Sequence, residues 1–305
     1  MQSPPYAQAY APGPAPPAYP PAPAPGMPPG AQATAGVSPV AAVKFAFASP
    51  DWKSNVLIGL VFMIIPIVGP IALMGWFCEI FQRLVRAHPT PVPKLDFADL
   101  MHYVERGIKP FVANLVVAFP IGFVVGVAYF ASFVLGAVLV NVTREPALMF
   151  VPLALFGLFA VAFMLFSQAV VGAAQTRAEL MEDIGGALAF GKLWAYAKAT
   201  WVRVFVANLI YAFIAFGISF VGLLCCGIGI YPASVILMIG MLHLRYQIYA
   251  DYLAKGGEPI PPTAPKLLPS EARLAGPGMG QAPAPGYPPG AGYPPGAGYP
   301  PGWGR

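Results

Sequence analysis

NVLIGLVFMIIPIVGPIALMGWFCEIFQRLVR, residues 55–86, is the stretch on which the reading of the chain turns. It is apolar almost without a break from Val56 to Cys78, and Pro66 and Gly69-Pro70 interrupt it midway. A proline inside a helix removes a backbone donor and clashes one turn back. In lipid the freed carbonyls must find other partners. The segment therefore either crosses a bilayer once with a sharp bend or turns back as a hairpin of two short helices. Pro66, Gly69 and Pro70 are the helix-break positions. Just before it, Ser49-Pro50-Asp51-Trp52 has the form of a helix start, with an acid at the positive end and an interfacial indole.

Working outward, further apolar runs lie at 111–140, 147–173, 203–225 and 229–248. At ~1.5 Å rise per residue, about 20 residues of helix cross a ~30 Å hydrocarbon layer, and each run meets that length. Hydrophobic residues make up 57% of the 305 and charged ones 10%, against about 25% charged in soluble proteins. The expected fold is all-α: a polytopic membrane bundle over residues 49–252, with four spanning helices plus the proline-broken first helix or hairpin.

Both ends differ in kind from this body. Of 38 prolines, 14 fall in 1–50 and 14 in 256–305, leaving 10 between. Residues 1–48 and 253–305 are expected to be disordered tails. The second repeats GYPPGA, which sets Tyr287, Tyr293 and Tyr299 in register, and Tyr19 sits in a related AYPP. Such segments favour extended polyproline II and lack the apolar mass to fold. They act as solvated spacers or as multivalent tails with tyrosine stickers. The first 43 residues carry no Lys or Arg and no hydrophobic core segment, so no cleavable signal peptide is expected.

Cationic residues settle the orientation, because cytoplasmic loops carry the excess of Lys and Arg. A single crossing at 55–83 divides them 14 inside against 3 outside, and a hairpin divides them 16 against 1. The count favours the hairpin, with both tails in the cytoplasm of a cell whose inner membrane holds the bundle.

The body also contains a duplication. FVANLVVAF (111–119) recurs as FVANLIYAF (205–213), and LDFADLMHYVERGI (95–108) aligns with LAFGKLWAYAKATW (188–201). The repeat units are 95–140 and 188–225. Phe97, Leu100, Met101, Val104 and Ile108 follow one helical face, as do Phe190, Leu193, Trp194, Ala197 and Trp201. Each unit reads as an amphipathic interfacial helix leading into a spanning helix. Asn114 and Asn208 occupy matching places. Amides there bond across helices for ~0.6 kcal/mol on average, or serve as paired ligand contacts. Gly122 and Gly126 form a GxxxG that would let another backbone approach.

Several function classes lose support. No basic cluster marks a nucleic-acid footprint. The three cysteines match neither zinc spacing nor a secreted disulfide framework. No nucleophile–base pair, H-E-x-x-H or phosphate loop appears, so neither catalysis nor a cofactor or metal is expected. The spanning runs lack the ionisable residues that ion-coupled transporters keep. The acidic stretch 174–187 reads as a solvated helix start, and His243, Arg245 and Gln247 as interfacial snorkelling.

The stretch DWKSNVLIGLVFMIIPIVGPIALMGWFCEIFQRLV, with PVPKLDFADLMHYVERGIKPFV after it and a late HLRYQIY, resembles a family of prokaryotic integral-membrane domains (domain of unknown function four-thousand-thirteen). The resemblance covers roughly residues 50–252. It implies a multi-helix domain in the cell envelope and supplies no catalytic residues. The leading expectation is a non-enzymatic membrane anchor or scaffold, embedded in the lipid bilayer, that presents its tails to cytosolic protein partners or to copies of itself as a homo-oligomer. A small-solute transporter or channel-like protein, using the broken first helix and the repeat, is the alternative.

Overall fold

In the computed structural model, residues 36–224, 227–266 and 268–274 are described. The tyrosines of the tail repeats, Tyr19, Tyr287, Tyr293 and Tyr299, lie outside them. The described residues are helical, without a strand. In order they are α1 (Pro39–Phe45), α2 (Trp52–Ile64), α3 (Val68–Val85), α4 (Leu100–Thr143), α5 (Phe150–Met181), α6 (Ile184–Ala187), α7 (Phe190–Leu224), α8 (Ile230–Ala254) and α9 (Pro269–Leu274). Four segments are long and apolar enough to cross a membrane: Val68–Val85, Phe97–Thr143, Pro146–Met181 and Phe190–Leu224. That makes the fold an all-α bundle of the multi-pass membrane kind. The run at 229–248 is helical too, within α8, but is not among these four.

The proline break is a reversal. Asn55 Nδ2 on α2 and Trp76 Nε1 on α3 both donate to the carbonyl of Pro93, each at 3.3 Å. In one straight helix those two residues would stand about 30 Å apart, so the chain has doubled back between them. Ile67 carries the turn at φ 65°, a strained setting for a β-branched residue. Gly69 lies so close to the Phe62 carbonyl that any Cβ would collide with it. The hairpin alternative is the one the chain adopts.

The two interfacial helices expected at 95–108 and 188–201 are continuous with the long helices α4 and α7. In the first, the orientation is the reverse of a soluble amphipathic helix: Phe97, Met101 and Ile108 face outward, while Asp99, Tyr103 and Arg106 are buried. In the second the apolar stripe is divided, with Phe190, Trp194 and Trp201 outward and Leu193 and Ala197 buried. Lipid-facing helices sort this way, because polar groups gain more from one another than from hydrocarbon.

Packing is concentrated at one end. Trp76, Phe81, Tyr103, Leu180 and Tyr249 sit in one buried cluster with residues from α2, α3, α7 and α8. α3 and α4 approach backbone to backbone: a Cβ on Gly75 would strike the Tyr103 carbonyl, and one on Gly107 the Ile71 carbonyl. Beyond this end the α4–α5 hairpin and the far half of α7 run on with outward apolar side chains, among them Phe123, Phe130, Leu155, Leu158 and Phe216.

The tails are shorter than composition implied. α1 is capped by Ser38, whose Oγ accepts from Ala41 N–H, and Ala42 is fully buried. After α8 the chain crosses the packed end as a strap, described over residues 257–266 and 268–274. Ile260 and Leu268 are buried there at 4% and 1% exposure. The tail boundary set at 253 therefore moves outward. The five prolines of 259–269 stiffen a segment whose apolar and charged side chains find partners on the bundle.

Candidate functional site

The packed end holds a network of charges in its interior. Arg106 on α4 is its hub. Its Nε donates to Glu182 Oε1 at 2.8 Å, its Nη2 to Gln82 Oε1 at 3.0 Å, and its Nη1 to Glu79. Glu79 also takes Arg83 Nε, one helical turn along α3. Gln82 Nε2 donates to Glu182 Oε1 and to the Glu179 carbonyl, both at 2.9 Å. Side-chain exposure is 2% for Arg106 and 6% for Glu79 and Arg83. Isolated charges at such depth would be very costly, and the arrangement tolerates them because each is paired and hydrogen-bonded.

The strap completes the network. Lys266 Nζ reaches Glu182 Oε2 at 2.7 Å, and Glu271 lies on Arg83 Nη2 with both oxygens, at 2.8 and 2.9 Å. Asp99, fully buried, accepts from the backbone N–H of Ser270 at 2.8 Å and from its hydroxyl at 2.5 Å. Thr263 donates to Leu180 and Met181 carbonyls at the end of α5, where the αL residue Glu182 ends the helix. These contacts satisfy groups at a helix C-terminus that would otherwise lack partners. Burial alone would raise the Glu182 carboxyl. The Lys266 hydrogen bond and the Arg106 charge outweigh that and hold it below its ordinary value.

The acidic stretch 174–187 is divided. Glu179 and the C-capping Glu182 form the buried end of α5, at 2% and 4% exposure, and not a solvated start. Asp183, by contrast, is exposed and caps the short helix α6, accepting from Gly186 N–H at 2.6 Å. Arg245 is not merely snorkelling: its Nη2 donates to Glu179 Oε1 at 2.8 Å. His243 stacks on Phe45 at 4.2 Å, and Gln247 Oε1 accepts from Ser38 N–H at 2.7 Å, so both hold α1 against α8.

Two cavities flank the network. The larger, about 660 Å3, opens between Ser49–Asp51, the loop Pro89–Lys94 and the strap residues Leu268, Ser270 and Glu271, with Arg83 in its wall. The smaller, about 30 Å3, is lined by Gln168, Gln175, Tyr196, Asn208 and Arg245 among others. Asn114 Oδ1 accepts from Gln175 Nε2 at 2.9 Å, so the repeat-related asparagines approach the same polar seam of α5 from two helices. Pro66, Gly69 and Pro70 form the hairpin turn and line neither cavity.

Sequence reasoning missed the network because its members lie on four helices and the strap, separated by up to 192 positions from Glu79 to Glu271. The available signal was local: Glu79 and Arg83 sit four residues apart inside an apolar run, and Arg106 faces away from the exposed apolar stripe of its helix.

The model of a family described as a protein of unknown function (DUF4013) matches residues 58–227, more than half of the chain, and the chain belongs to that family. The match covers α3, α4, α5 and α7 and ends before α8, so the HLRYQIY stretch and the strap lie beyond it. Neither a curated protein nor a solved structure shows a match.

Proposed function

We propose that the chain is a non-enzymatic membrane scaffold, whose bundle anchors two Tyr/Pro-rich arms in the cytoplasm for protein partners. The observation that supports this reading is that the chain is tied down on α8 just inside both tails. Ser38 N–H donates to Gln247 Oε1, and the strap's Ile260 N–H donates to the hydroxyl of Tyr249, two residues further along the same helix. Two arms carried on one body raise the effective concentration of one for a partner held by the other.

The test keeps the roots and removes the arms. A chain lacking 1–35 and 275–305 should insert into the membrane as before and lose capture of cytosolic proteins in pull-downs. Unchanged capture would contradict the reading. Cytoplasmic placement is tested separately, by a probe at Ala7 that should stay unreachable from outside intact cells.

A second reading, transport of a small solute, rests on the smaller cavity. Arg245, in its lining, has Nε and Nη1 without hydrogen-bond partners, and Oε2 of the paired Glu179 also lacks one. Buried polar groups of that kind usually have them. Asn208→Leu should then reduce solute flux while leaving partner capture intact.

A further inference from the structure

The strap adds two charges to the network, Lys266 beside Glu182 and Glu271 beside Arg83. Without Glu271, the carboxylate paired with Arg83 is Glu79, which it shares with Arg106. The side chain of Arg83 is 6% exposed, and that of Glu271 is 40% exposed. Arg83 is committed on two sides, its Nε to Glu79 and its Nη1 to the Thr90 carbonyl at 3.4 Å. Its Nη2 faces Glu271, in the wall of the 660 Å3 cavity. That volume lies within the usual range of small-ligand sites, about 300–1,000 Å3.

The other charges of the lining leave this field largely intact. Lys94 and Asp96 lie 3.9 Å apart and offset each other, and Asp51 is exposed. A guanidinium held by buried partners, with one N–H edge open to a cavity, suits carboxylate or phosphate oxygens. Glu271 has that chemistry. It is carried on a six-residue helix, α9, that joins the body through the strap.

We propose that the cavity is an oxyanion-binding site whose resident occupant is the chain's own Glu271. An incoming carboxylate or phosphate group takes Arg83 by displacing Glu271, and the end of the strap lifts with it. The site then links ligand binding to the position at which the C-terminal arm leaves the body.

The experiment uses full-length protein in detergent micelles at fixed ionic strength, titrated calorimetrically with inorganic phosphate and, separately, with succinate. Glu271→Gln keeps the shape of the side chain and removes its charge, and should bind at least tenfold more tightly than wild type. Phosphate binding alone assigns the site to phosphate groups, and binding of both probes extends it to carboxylates. Arg83→Gln in the Glu271→Gln background should abolish binding. That substitution also breaks the Glu79 pair, so a second readout needs no variant. Phosphate should accelerate tryptic cleavage after Lys266 in wild type several-fold over a chloride control. Glu271→Gln binding no more tightly than wild type, or cleavage unchanged by phosphate, would overturn the proposal.

Discussion

One helix contains two environments. Over residues 100–113, α4 buries Tyr103, Arg106, Gly107, Pro110 and Ala113 against α3 and α5. Over 114–143 it buries only Gly136, and Phe119, Phe123 and Phe130 are more than 60% exposed. The first part is held by close backbone packing and charge pairing, as in a soluble core turned polar. The second needs no protein partner because hydrocarbon solvates it. A single helix can serve both because the backbone bonds internally throughout, and only the side chains meet different surroundings.

The contrast yields ordered predictions. The largest effect is expected at the hub. Arg106→Met removes the cation that Glu79 and Glu182 share and leaves each with one cationic partner, Arg83 and Lys266 respectively. Breaking one partner of a buried pair costs about 3–5 kcal/mol. Thermal unfolding in detergent should show the variant severely destabilised or absent from the folded fraction. Gly107→Val is next, because its side chain would strike the Ile71 carbonyl. Overpacking of this kind costs about 1–3 kcal/mol and more where backbone must move. The matching change in the outer part, Gly126→Val, meets nothing within 4 Å and should alter stability by no more than about 0.5 kcal/mol. A large loss at Gly126 would reveal a helix from a second copy on that face.

Acidification sharpens the same comparison. The folded-state carboxyl of Glu182 titrates below its unfolded value of about 4.3. Its contribution is present above that pH and is lost as pH falls through the lowered folded value. Lys266, Arg106 and Gln82 face it and remain proton donors throughout that range. The stability gap between wild type and Glu182→Gln should therefore narrow as pH falls below about 4.3, which midpoints measured across that range would record. Gly126→Val should show no such dependence.

The outer part was the more legible in the sequence. Runs such as 111–140 declare themselves because lipid imposes a one-dimensional rule of length and apolarity. The proline reversal at 66–70 was legible as a break, and the distribution of cations pointed to a hairpin. The polar end was not, because pairing across helices has no linear signature. Glu182 and Arg245 have ordinary interfacial surroundings in sequence and specific partners only in the fold. Composition also misplaced the tail: prolines 259–269 look like those that follow, yet Ile260, Lys266, Leu268 and Glu271 give that stretch something to bind with. Asn114 was expected to bond across helices or to contact a ligand; it does the former, through Gln175.

The central claim is that the strap is part of the body and lies across the polar end beside the loop between α1 and α2. Spin labels at Ala48→Cys and Ala264→Cys, both exposed positions, test it in a lipid bilayer by dipolar spectroscopy. A docked strap predicts one narrow distance distribution, broadened when Lys266 and Glu271 are both neutralised. A broad distribution in the unaltered protein would contradict the account.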